Sequence, residues 1–119
     1  MSQNGGLLLA LSPGCPYCKL SYPFYEDLVK LRDQGQHKLQ IIAAVDTSGS
    51  VRLQKRLLEE ASIYVDSVVA LSFLELKIYY VPTLVLLDSQ AVVQHVWEGQ
   101  LSEEFEDGVQ SILFQGPNN

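Results

Sequence analysis

Apolar positions along this chain follow two spacings, and the switches between them mark its elements. Gly6-Leu7-Leu8-Leu9-Ala10-Leu11 is an unbroken apolar run between turn formers, which predicts a fully buried strand inside a sheet. Ser12-Pro13-Gly14 ends it, and Pro16 suits the first turn of a helix, where its missing N–H costs nothing. Leu20, Phe24, Leu28 and Leu31 then recur at helical spacing, with Gly35 as a C-cap and Pro23 predicting a kink. A second strand is predicted over Leu39 to Val45, ended by Asp46-Thr47-Ser48-Gly49-Ser50. Val51 to Ala61 reads as a helix with Leu53, Leu57 and Leu58 on one side, followed by a short extended piece, Ile63-Tyr64-Val65. Ser67 to Leu76 reads as a further helix through Val68, Leu71 and Phe73 or Leu74. Thr83 to Leu87 and Val92 to Trp97 flank the turn Asp88-Ser89-Gln90 and predict an antiparallel hairpin. Ser102, as N-cap before Glu103 and Glu104, opens a last helix reaching Leu113.

The resulting order, β-α-β-α-α-β-β-α, predicts an α/β architecture. Its centre is a four-stranded mixed sheet, two parallel strands plus a C-terminal antiparallel hairpin, flanked by helices. The 119 residues suit a single domain over 1–119, with its core at about 6–113 and flexible ends. A net charge of −6 argues against nucleic acid and against an anionic membrane surface, both of which call for clustered Lys and Arg. No apolar run approaches the roughly 20 residues of a membrane-spanning helix.

Candidate chemistry centres on the two cysteines, Cys15 and Cys18. A Cys-x-x-Cys pair at a strand-to-helix junction places its first sulfur among the unpaired N–H groups that favour a thiolate. The second sulfur sits one turn further in. The first thiolate attacks a disulfide and the second thiol resolves the mixed disulfide, so Cys15 is the expected nucleophile and Cys18 the resolving thiol. Half of a zinc site is a competing reading. Zinc takes four ligands as a rule, and the remaining soft donors are His37, at a predicted helix end, and His95, in a predicted strand. An inert buried pair is the other alternative. Neither metal nor cofactor is expected. Tyr22, Tyr25, Tyr64, Tyr79 and Tyr80 are assigned to the core or its edge, Trp97 to packing at the sheet edge, and the acidic run through Glu106 and Asp107 to a solvated helix face.

From Gly6 to Leu113 the chain resembles the thioredoxin superfamily. Three features carry the resemblance: the strand, Cys15-Pro16-Tyr17-Cys18 and the helix after it; Val81-Pro82-Thr83 before the third predicted strand, like the family's cis-proline loop; and the closing hairpin followed by Gly99. The resemblance implies that the Val81 backbone pairs with an extended substrate, with Pro16, Tyr17 and Pro82 lining the same place. Cys18-Lys19 with Pro23 four residues beyond the lysine is similar to the TlpA/ResA-like members, as is the long Val51–Tyr80 region. The chain departs from them at Gly14, where they carry Trp. It has Leu9 where thioredoxins carry a buried acid, and Ser21 where several relatives carry Glu. Water, Asp46 or Glu75 are then the candidates to take the Cys18 proton. No N-terminal hairpin precedes Leu7, which reads as a trimmed or truncated core.

The implied activity is thiol–disulfide exchange with protein substrates and a redox partner protein, by a monomer that inserts in no membrane. The implied location is periplasmic or otherwise extracytoplasmic, with a leader or anchor outside this chain; the cytoplasm is the alternative. Two further functions stay open. Pro16-Tyr17 is the glutaredoxin dipeptide, implying a glutathione-dependent reductase. Thioredoxin folds also serve as non-enzymatic docking modules.

Overall fold

The computed structural model describes residues 4–115, so the outermost residues of the ends expected to be flexible lie outside the described residues. Strand β1 (Asn4–Ala10) runs through the middle of a mixed sheet. It pairs parallel with β2 (Gln40–Asp46), Leu7 opposite Ile41 and Leu9 opposite Ala43. On its other side it pairs antiparallel with β4 (Thr83–Asp88), Leu9 opposite Leu84. Strand β5 (Val93–Glu98) completes the expected hairpin with β4.

The sheet has five strands, in the order β3-β2-β1-β4-β5, rather than the four expected. The extra strand, β3 (Ser67–Leu71), occupies part of the segment expected to be helical. Helical spacing of Val68, Leu71 and Leu74 fits that segment on paper. What decides is parallel pairing with β2, Ile42 opposite Ser67 and Ala44 opposite Val69, a contact that local periodicity cannot register. Adjacent β-branched Val68 and Val69 agree with the strand. Asp66 fixes the register: its N–H donates to the Ile41 carbonyl (2.8 Å), and its carboxylate accepts the Ile41 N–H (2.8 Å). The same carboxylate holds Arg32 in an ion pair. Only α4 (Phe73–Leu76) remains of the expected helix, capped by the Ser72 hydroxyl on the Glu75 N–H (3.2 Å). Ile63-Tyr64-Val65 forms no strand.

The helix after the cysteines is broken, but not by a kink at Pro23. Helix α1 (Pro16–Leu20) stops at Ser21, and α2 (Tyr22–Gln34) begins there, with Pro23 in its first turn. A proline in that position loses no helical hydrogen bond, so it starts a helix instead of bending one. Helices α1, α2, α3 (Val51–Glu60) and α5 (Glu103–Gln110) supply the cover for one face of the sheet. There Leu7, Leu9 and Leu11 meet Phe24, Tyr25, Leu28, Leu58 and Val109, with both cysteines in the same cluster. Each fully buried leucine adds roughly 2–3 kcal/mol by transfer from water. The opposite face has a small cluster of Ala10, Ala44 and Phe73, with Leu8, Val69, Leu71 and Ile78 half-buried around it. The last helix extends past Gln110 as a π-helical turn, Ser111–Gln115.

Candidate active site

Leu11 prolongs β1 by one hydrogen bond to the Ala44 carbonyl (2.8 Å) before the chain turns through Ser12-Pro13-Gly14. The Cys15 N–H closes that turn on the Ser12 carbonyl (3.1 Å). Cys15 is thereby the N-cap of α1, with extended backbone (φ −89°, ψ 115°), and Pro16 takes the first helical position. In place of the usual hydroxyl, the Cys15 sulfur accepts the Cys18 N–H at 3.1 Å. A cap that accepts N–H suits a sulfur carrying negative charge. Cys15 is 8% exposed and Cys18 wholly buried, and both are free thiols. Burial first, and the neighbouring Cys15 thiol second, push Cys18 from its ordinary 9.0 up to about 12.

The second wall comes from the loop entering β4. The Val81–Pro82 peptide bond is cis. The Thr83 hydroxyl donates to the Tyr80 carbonyl (2.6 Å), and the Gly99 N–H donates to the Pro82 carbonyl (2.7 Å). Gly99 lies at φ +83°, in the left-handed region where a side chain is strained. The Cys15 thiol donates to the Val81 carbonyl at 3.6 Å, across 66 positions of sequence. Cys15, Cys18, Val81 and Pro82 thus come together, with Pro16 next to Cys15. Tyr17, 60% exposed, lines a groove of about 600 Å³ with Tyr80, Val81, Glu98, Gly99 and Gln100.

Sequence reasoning missed the place of Tyr80 in this groove. Tyr64, Tyr79 and Tyr80, expected at the core or its edge, are all more than 60% exposed, because the loops carrying them fall outside the packed face. Tyr22 is half-buried and Tyr25 buried, as the core assignment expects. Both phenols titrate upward, chiefly by burial, and the charges of Cys18 and Cys15 add to the shift. Gln54 was also missed. It is fully buried on α3, where its side-chain amide donates to the Tyr22 hydroxyl (3.1 Å). Its position four residues before buried Leu58 was the available signal.

Neither carboxylate candidate for the Cys18 proton reaches it. Asp46 accepts the Phe73 N–H (2.9 Å) and the Ser48 hydroxyl (2.7 Å), while Glu75 is exposed on α4. The groups acting on Cys18 are Cys15 and the nearby backbone of Ser12. His37 packs against Phe114 (4.9 Å) and His95 stacks on Trp97 (5.3 Å). Among the described residues no three His, Cys, Asp or Glu side chains gather where a metal could bind.

No family model and no curated protein matches the sequence. Solved structures do match. StoA from Bacillus subtilis superposes with a TM-score of 0.69 at 13% identity, over 92% of this chain and 84% of that one. A thiol-disulfide isomerase from Corynebacterium glutamicum gives 0.72 at 15% identity, over 91% and 79%. A secreted Mycobacterium tuberculosis disulfide oxidoreductase, described as homologous to E. coli DsbE, gives 0.69 at 11%, over 94% and 84%. The chain has the thioredoxin fold, and the resemblance to that superfamily and its TlpA-like members holds at the level of fold.

Proposed function

We propose that this chain catalyses thiol–disulfide exchange with protein substrates, Cys15 attacking and Cys18 resolving. One observation carries the reading. The Cys15 sulfur is at once the acceptor of the Cys18 N–H and the neighbour of the Val81 carbonyl, beside an open groove. A substrate disulfide entering between Tyr17 and Tyr80 meets Cys15 first, because Cys18 is wholly buried beneath it. Attack by the Cys15 thiolate joins its sulfur to one substrate sulfur and releases the other as thiolate. Attack by Cys18 then closes the Cys15–Cys18 disulfide and frees the reduced substrate. Extended peptide at Val81, with Pro16, Tyr17 and Pro82 around it, is the assigned mode of substrate binding. An extracytoplasmic location accords with the secreted neighbour of the same fold, and the cycle calls for a redox partner protein to restore the dithiol.

The test is reduction of insulin by dithiothreitol, followed by turbidity. The wild-type chain accelerates precipitation and Cys15→Ser does not. Equal rates with the two proteins, or no acceleration by either, would sink the proposal. The equilibrium potential of the pair in glutathione buffers then gives the direction: near about −270 mV it works as a reductant, near about −120 mV as an oxidant.

A further inference from the structure

The groove beside Cys15 carries charge of one sign. Its lining is Tyr17, Tyr80, Val81, Glu98, Gly99 and Gln100, so Glu98 is its one charged residue. Glu98 ends β5 opposite Thr83, and the N–H of Gly99 after it donates to the Pro82 carbonyl (2.7 Å). The Thr83 hydroxyl holds the Tyr80 carbonyl (2.6 Å), and the Val81 carbonyl accepts the Cys15 thiol (3.6 Å). Glu98, both ends of the proline loop and the Cys15 sulfur thus share one hydrogen-bonded frame.

Glu98 differs from carboxylates elsewhere on the chain. Glu26 pairs with Lys30, and Asp33 and Asp66 pair with Arg32, but no ion pair among the described residues involves Glu98. Lys19, the cation nearest the cysteines in sequence, does not line the groove. Tyr17 and Tyr80 are both exposed there and take no part in either core cluster. Exposed rings beside a carboxylate without a cation suit a side chain that is apolar along its stem and positive at its tip. The same carboxylate repels an acidic side chain and gains nothing from an aliphatic one. The net charge of −6 acts in the same direction at longer range.

We propose that this groove selects substrate polypeptides carrying Lys or Arg close to the disulfide cysteine, with Tyr17 and Tyr80 packing the stem and Glu98 pairing with the cationic head. At about 3.3 Å per extended residue, the long stem of either side chain reaches the groove from within about three residues of the cysteine. This rests on the exchange function proposed above and names the substrate class of the same site.

The test uses disulfide-linked homodimers of a short Ala/Gly peptide with a central Cys. One residue, placed in turn at each of the three positions on either side of the Cys, is Lys, norleucine or Glu. Attack by Cys15 of the reduced full chain releases one peptide thiol, and closure of the Cys15–Cys18 disulfide releases the other. Both are counted by chromatography after acid quench. Each rate is divided by that of the same dimer with dithiothreitol, which removes the intrinsic effect of the charge on the disulfide. At its best position Lys should exceed norleucine about fivefold, the scale of one exposed ion pair with a ring contact, and Glu should fall below both. Glu98→Gln should bring Lys and norleucine to within about twofold of each other, and Glu98→Lys should place Glu above Lys. Salt at about 0.5 M should likewise shrink the wild-type preference for Lys to about twofold. No preference for Lys at any position overturns the proposal, as does one that Glu98→Gln leaves unchanged. Should circular dichroism show Glu98→Gln unfolded, the salt series on the wild-type chain decides: a preference that salt leaves unchanged overturns the proposal. A folded wild-type chain that releases thiol from none of the dimers instead refutes the exchange function itself, a separate outcome.

Discussion

The two faces of the sheet are built from alternate residues of the same strands, yet they are packed very differently. Leu7 and Leu9 of β1, and Leu11 just past its end, are wholly buried under four helices, while Leu8, between the first two, is only half-buried. The packed face holds both cysteines; the thin face holds Phe73 and a few half-buried neighbours. Among the described residues, Val81 alone packs against both clusters, at the loop where Cys15 meets its carbonyl. The pair is therefore anchored in the stiff half of the molecule, and the proposed substrate loop sits where the two halves meet.

The largest expected effect breaks the packed face. Leu9→Ala should cost about 3–5 kcal/mol in urea denaturation, because four helices cannot collapse onto the cavity. Leu8→Ala, one residue away on the thin face, should cost about 1 kcal/mol, since half of its surface already meets water. Equal losses from the two substitutions would erase the contrast between the faces.

Next in size is the alkaline limb of stability, which belongs to the packed face. Burial raises Cys18 from 9.0 to about 12 in the folded chain and raises Tyr25 as well. The unfolded chain then releases its protons first as pH climbs. The stability that these groups contribute is fully present below about 9 and is lost as pH rises toward about 12. In thermal melts of the reduced protein, Tm should fall across that window. Cys18→Ala should fall less steeply, and parallel slopes for the two proteins would remove Cys18 from the account.

The packed face was also the legible one. Continuous apolar runs and helical spacing announce β1, β2, β4 and α2, because each buries one broad side against the same core. The cysteine junction and the Val81-Pro82 loop were readable as motifs, and their meeting followed from the resemblance. The thin face was not legible. Ser67–Leu71 pairs only with β2 and keeps every residue partly exposed, so its spacing fits a helix equally well. Gln54 and Tyr22 escaped for a related reason. A glutamine on an amphipathic helix reads as surface until a partner on another element, 32 positions away, shows that it points inward.

The smallest expected effect lies on the thin face and has the opposite sign in pH. Asp46, at the end of β2, caps α4 from 27 positions away by accepting the Phe73 N–H. That hydrogen bond first, and the Ser48 hydroxyl second, hold its carboxyl below the ordinary carboxylate value. A lowered value means that the folded chain gives up its proton more readily than the unfolded one. The contribution is present above the unfolded value and is lost as pH falls through the folded one. Asp46→Asn keeps an acceptor for the Phe73 N–H but removes the charge. Near neutral pH its melting point should match wild type to within a few degrees, since the carboxylate is exposed to solvent. On acidification below about pH 4 the wild-type curve should drop toward that of Asp46→Asn. Curves that stay parallel down to low pH would show that α4 is held by Phe73 packing and the Ser72 cap alone. The thin face would then depend on one aromatic ring.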